Sequence, residues 1–166
     1  MAAIIGLADE RVEEICAEIK GIVVAANYNS PGQLVISGQE AATTLACERM
    51  KAAGAKRVIL LPVSGAFHSP LMESARFELA DAIAITEFKR PKCPIYQNVD
   101  AKGNTDVLVI KSNLQAQLTS PVKWTQSVKK MINDGASSFY ESGPGSVLQS
   151  LIRKIDRDIP VSYTHL

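Results

Sequence analysis

MAAIIGLADERVEEICAEIKGIVVAANYNSPGQLVISGQEAATTLACERMKAAGAKRVILLPV, residues 1–63, alternates short apolar runs with segments whose apolar residues recur at helical spacing. Ala2 to Gly6 is an apolar run closed by glycine and predicts a buried strand. Asp9 is placed to cap the helix that follows. There Val12, Ile15, Cys16 and Ile19 fall at i, i+3, i+4 and i+7, a single apolar stripe, and Gly21 ends it. Ile22 to Tyr28, rich in β-branched residues at its start, predicts a second strand. Asn29, Ser30, Pro31 and Gly32 read as a turn, and Gln33 to Ser37 returns as a third strand, so the pair predicts a hairpin. Gln39 to Ala53 predicts the second helix, stopped by Gly54, and Arg57 to Val63 the fourth strand.

The resulting β-α-β-β-α-β order is the split, ferredoxin-like pattern, and the fold class is α/β. The rest of the chain reads differently. Ser69 and Pro70 make an N-cap and first-position pair for a helix running to about Ile85. Arg90, Pro91 and Pro94 break the chain before a strand at Ile95 to Val99. Helices are expected at Val107 to Leu118 and Val122 to Asn133, a strand at Ser137 to Glu141, and a helix at Ser146 to Asp156. Pro160 to Tyr163 predicts a last short strand. Such alternation points to a layered sheet with parallel strands, here with too few strands to cover its helices.

Composition narrows the function. Over 166 residues the formal charge is +1, which speaks against binding along a phosphate backbone, so no nucleic-acid partner is expected. No apolar stretch is long enough to span a bilayer, and the N-terminus has no signal-peptide pattern, so no membrane association and a cytoplasmic location are expected. Cys16, Cys47 and Cys93 have neither zinc nor disulfide spacing, which fits a reducing compartment. No Walker, GxGxxG, HExxH or EF-hand motif occurs, and no cofactor or metal is expected.

Two histidines are present. His165 adjoins the C-terminus and carries little weight. His68 follows a strand and the small residues Ser64, Gly65 and Ala66, just before the helix opened by Ser69. The positive end of a helix dipole favours a neutral imidazole, which suits a general base; a histidine that merely caps or packs in a loop is the plainer alternative. A base needs a nucleophile, and no serine here has the G-x-S-x-G setting. Cys16 and Cys47 read as buried structural thiols, and Cys93 as a loop residue. Asn27, Asn29 and Gln33 bracket the hairpin turn and either satisfy local backbone groups or bind an acyl or amide-bearing substrate. Gly143-Pro144-Gly145 ahead of a helix is either a tight turn or a cradle for an anion.

Five strings, in order along the chain, resemble the malonyl-CoA:acyl-carrier-protein transacylases: NYNSPGQLVISG at Asn27 to Gly38, KAAGAKRVILLPVSGAFHSPLM at Lys51 to Met72, NVDAK at Asn98 to Lys102, QLTSPVKWTQSV at Gln117 to Val128, and YESGPGSVLQSL at Tyr140 to Leu151. The resemblance implies ping-pong acyl transfer, in which a serine takes malonyl from coenzyme A and passes it to the phosphopantetheine thiol of acyl carrier protein, in fatty acid biosynthesis. It makes His68 the general base, Gln117 the residue whose contact orients it, and Asn27 and Asn29 residues of the cleft nearby. Phe67 matches an aromatic that goes with malonyl rather than methylmalonyl substrates.

The same resemblance implies a ferredoxin-like small subdomain at residues 1–63. Residues 64–166 would be the C-terminal part of an α/β-hydrolase-like acyltransferase subdomain. The family's oxyanion-hole loop, its serine and its malonyl-binding arginine have no counterpart here. The chain is therefore expected to be the C-terminal half, starting at an internal methionine, with no nucleophile and little activity alone. The terminal VSYTHL matches nothing in the family. Two other readings are a ferredoxin-like regulatory or ligand-binding module and an acyltransferase domain cut from a polyketide synthase. An RNA-reading module would need several aromatics on its strands, and the first-half strands hold only Tyr28.

Overall fold

The computed structural model describes residues 1–164; His165 lies outside them. The first six elements are β1 (Ala2–Ile5), α1 (Asp9–Ala17), β2 (Val23–Ser30), β3 (Gln33–Gly38), α2 (Glu40–Ala52) and β4 (Arg57–Leu60), in the β-α-β-β-α-β order expected. Their sheet runs β2-β3-β1-β4, and every neighbouring pair is antiparallel. Ile4 on β1 stands between Leu34 of β3 and Val58 of β4. Side chains alternate across the sheet, so Ala2, Ile4, Leu34 and Ile36 share the face covered by both helices. The stripe Val12, Ile15, Cys16 and Ile19 from α1 meets Ala42, Ala46, Cys47 and Met50 from α2 there.

The boundaries differ from expectation where tertiary bonds intervene. Ala8, not Asp9, is the N-cap of α1, and Asp9 sits in the first turn, where a carboxylate still opposes the dipole. The helix ends at Ala17, ahead of Gly21. β2 continues through Asn29 and Ser30, leaving Pro31 and Gly32 as the turn, with Gly32 at φ 69. The reason is an extra partner: Tyr28 N–H donates to the Val122 carbonyl at 2.9 Å, and Val122 N–H donates to the Ala26 carbonyl at 2.8 Å. These bonds hold the outer edge of β2 extended, although the strand bulges between Ala25 and Asn27 and again between Tyr28 and Ser30. β4 stops at Leu60 rather than Val63, because Pro62 has no N–H to offer and Val63 N–H turns back to the Leu61 carbonyl.

Ser69 does cap, accepting from Leu71 N–H, but a 3-10 turn at Pro70–Met72 precedes α3 (Glu73–Ile85). β5 (Ile95–Gln97) is shorter than expected and pairs with an unforeseen β6 (Lys102–Asn104). The hairpin closes through Ala101 at φ 56, and the Asp100 carboxylate accepts from Lys102 N–H. Asp106 caps α4 (Val107–Gln117). α5 runs Trp124–Asn133, beginning after Val122, whose backbone is committed to β2. β7 (Phe139–Ser142), α6 (Val147–Ile155) and β8 (Val161–Thr164) complete the described chain. β7 and β8 pair in parallel, the only parallel strand pair among the described residues. Helices α5 and α6 pack on β2, and Lys154 of α6 donates to the Gln33 side chain at 2.9 Å. None of the described helices is long and apolar enough to cross a membrane.

Candidate active site

His68 lies in the loop joining β4 to the 3-10 turn, with its backbone at φ 58. A non-glycine residue in the left-handed region costs roughly 1–3 kcal/mol and persists only where neighbours enforce it. Ser69 supplies that enforcement. Its buried hydroxyl donates to the Ala66 carbonyl at 2.6 Å and accepts from Leu71 N–H at 3.3 Å, clamping both sides of His68. The half-buried imidazole is aimed at the end of α4, where Nδ1 stands 2.9 Å from the main-chain carbonyl of Gln117. A carbonyl oxygen only accepts, so Nδ1 carries the proton. In the neutral ring Nε2 is then the free lone pair, the state a general base requires.

Gln117 thus meets His68 through its backbone. Its side chain turns the other way, and Nε2 donates to the carbonyls of Ser120 and Pro121 at 3.0 and 3.2 Å. Residues 118–121 form a tight loop that delivers Val122 to the edge of β2. Asn27, half-buried, is the β2 residue bridged to Val122, and Asn29, also half-buried, follows on the same strand. Hydrogen bonds therefore connect His68 to Gln117, and the 118–121 loop connects Gln117 to the strand carrying both asparagines. No described bond joins either asparagine's side chain to the histidine. Phe67 is 41% exposed and lays its ring over Gly65, where an added Cβ would stand 2.9 Å from the ring. A concavity of about 510 Å³ lies behind this loop, lined by Leu60, Val63, Ser64, Gly65, Ala66 and Thr43 among others, but His68 does not line it.

Several supports were not foreseen. Thr125 Oγ donates to the Tyr28 carbonyl at 3.0 Å, and Lys123 N–H to the Asn98 carbonyl at 2.9 Å, tying the start of α5 to both β2 and the β5–β6 hairpin. Behind α4, the Asp100 carboxylate accepts from Asn104 at 3.0 Å and from Asn113 at 2.9 Å. Burial raises the Asp100 carboxyl, but the donors from Asn104, Asn113 and Lys102 outweigh it and hold it below the ordinary carboxylate value. A signal for this network did exist, since Asp two residues before a turn N–H is an Asx-turn pattern.

Other candidates resolve differently. Gly143 and Gly145 stand at φ 123 and 94, and the N–H groups of Leu148 and Gln149 beyond them are taken by the Glu141 carboxylate at 3.0 and 3.2 Å. The N-terminus of α6 therefore supplies its own anion, and the tight-turn alternative is the one seen. Burial pushes the Cys16 thiol up to about 12 and also raises Cys47, so neither is a ready nucleophile, and Cys93 is exposed. Among the described residues no cluster of His, Cys, Asp and Glu is arranged to hold a metal.

The acyl transferase domain profile matches residues 1–162. The malonyl CoA-acyl carrier protein transacylase of Staphylococcus aureus (strain COL) is 44% identical over 165 residues, covering 98% of this chain and 54% of that protein. An acyl carrier protein S-malonyltransferase from Vibrio cholerae, solved by crystallography, superposes with a TM-score of 0.95 at 42% identity, over 98% of this chain and 54% of its own. A malonyl-transacylase solved in complex with its type II PKS acyl-carrier protein gives a TM-score of 0.93 at 38% identity, over 99% of this chain and 53% of that one. The chain spans about half the length of the curated relatives it matches. A family match over residues 1–162 and an α/β fold that superposes on these enzymes lead to one assignment: this chain belongs to the acyl transferase domain family.

Proposed function

We propose that this chain is the base-bearing part of a malonyl-CoA:acyl-carrier-protein transacylase that moves malonyl from coenzyme A to the phosphopantetheine thiol of acyl carrier protein, in fatty acid biosynthesis. The observation that carries the proposal is the His68–Gln117 bond, which leaves Nε2 of the imidazole as a proton acceptor. In the reaction, Nε2 takes the proton of a serine hydroxyl as that oxygen attacks the malonyl thioester carbonyl. The carbon–sulfur bond breaks, and the proton passes to the coenzyme A sulfur. The second half-reaction runs the same way with the carrier thiol: Nε2 takes its proton, the sulfur attacks the malonyl ester, and serine leaves with the proton. Phe67 beside the base limits the acyl group, Asn27 and Asn29 form part of the cleft, and no cofactor takes part. Neither a membrane nor a nucleic acid has a place in this chemistry, which runs in the cytoplasm.

No serine among these 166 residues has the G-x-S-x-G setting, so the proposal places the nucleophile outside them, in the half of the relatives' length that these residues do not match. The surface supports that division. Phe77 is 61%, Ile85 89%, Leu108 77% and Tyr140 70% exposed, a density of bare apolar groups that soluble surfaces avoid. Parallel strands occur almost always within larger sheets covered on both faces, and β7–β8 stands as a bare pair. Residues 1–63 act as a ferredoxin-like small subdomain over the cleft, and residues 64–166 as the C-terminal part of the catalytic subdomain.

The test is a chimera joining residues 1–164 to the part of the S. aureus relative that this chain does not match, assayed for malonyl transfer from malonyl-CoA to holo acyl carrier protein. The chimera transfers malonyl, and the chain alone does not. A folded chimera with no transfer contradicts the proposal. Type II polyketide carrier protein in place of the fatty-acid carrier decides which pathway's carrier is preferred.

A further inference from the structure

The carbonyl that meets His68 is free for a reason written in the chain. In an α-helix the Gln117 carbonyl would accept from the N–H of residue 121. Residue 121 is proline and has no N–H. The oxygen is therefore left at the negative end of α4, where a donor is favoured. The Gln117 side chain then folds forward, and Nε2 gathers the carbonyls of Ser120 and Pro121. That closes the loop and prevents the helix from drifting onward. Beyond it, Val122 is locked to β2 by its bonds to Ala26 and Tyr28.

We infer that Pro121 and the Gln117 carboxamide are positioning residues that together hold the Gln117 carbonyl open to His68 and so select the Nδ1–H tautomer of its imidazole. Neither side chain touches the reacting atoms. Proline withholds the competing backbone donor, and the carboxamide holds the loop in the shape that presents the oxygen. The inference deepens the proposed general-base role and rests on it only for its consequence in catalysis; the tautomer itself is measured without any acyl transfer.

The measurement is a nitrogen-15 NMR spectrum of the His68 ring in the 166-residue chain, at a pH where the ring is neutral, for the wild type, Pro121→Ala and Gln117→Met. Pro121→Ala restores a backbone N–H that can claim the Gln117 carbonyl, and Gln117→Met keeps the length of the side chain without its donor. The wild type shows a protonated Nδ1 and a bare Nε2. Each variant shifts the ring toward the Nε2–H form while its amide spectrum stays dispersed. Unchanged His68 nitrogens in both variants overturn the inference. So does loss of the folded spectrum in both, because the effect is then not confined to the loop.

Discussion

His68 Nδ1 donates to the Gln117 carbonyl across 2.9 Å, joining a strained loop after β4 to the last turn of α4, 49 residues further along the chain. The bond does for this imidazole what a buried carboxylate does in a serine triad: it fixes the ring and keeps the proton on Nδ1. It does so with a neutral partner.

Phe67 adjoins His68, the proposed base, and is partly exposed. In the chimera, Phe67→Ser opens room for an α-methyl group. A single methyl in an apolar pocket discriminates by about 10- to 200-fold, so methylmalonyl transfer relative to malonyl should rise by at least the lower figure. Competition between the two thioesters, read by mass spectrometry of the carrier, checks it. An unchanged ratio removes Phe67 from substrate selection.

Asp100 holds α4 in place through Asn104 and Asn113. Asp100→Ala should destabilise the fold by about 1–2 kcal/mol, since several hydrogen bonds to a charged acceptor are lost. The sign of the pH effect follows from its lowered carboxyl. The stability it contributes is present above the ordinary value of 3.8 and disappears as pH falls through the folded value. Denaturant melts from pH 6 downward show this loss in the wild type and not in the variant.

Cys93 is exposed, whereas Cys16 and Cys47 are buried with thiols raised first by desolvation. An alkylating reagent should label Cys93 alone in the native chain and all three cysteines after unfolding; peptide mass mapping reads both. Because the folded Cys16 value lies near 12 against an ordinary 9.0, its contribution is intact below 9 and is lost as pH rises toward 12. Cys16→Ala flattens that alkaline loss.

Much of this arrangement was legible beforehand. The stripe Val12, Ile15, Cys16 and Ile19 located α1 and its buried face, and the turn read at Asn29 to Gly32 located the β2–β3 hairpin, two residues longer than the Pro31-Gly32 turn that forms. What escaped was set by contacts distant in sequence. Val122 reads as the start of a helix until its backbone is seen bonded to Ala26 and Tyr28, and the same bonds explain why β2 outruns its expected end. The β5–β6 hairpin was hidden because Lys102, Gly103 and Asn104 have no strand propensity; Asp100 and the turn at Ala101 make the pairing. At the site, His68 was visible as a histidine beside a capping serine, but its left-handed backbone was not, since the Ser69 clamp enforces it.

The most direct test is single-turnover formation of the malonyl-serine intermediate in the chimera, with His68→Ala against the wild type. The account predicts a fall of at least two to four orders of magnitude in the acylation rate, the usual worth of a positioned base. Malonyl-CoA affinity should be little changed. Acylation by a folded His68→Ala chimera at a rate close to that of the wild type would contradict it.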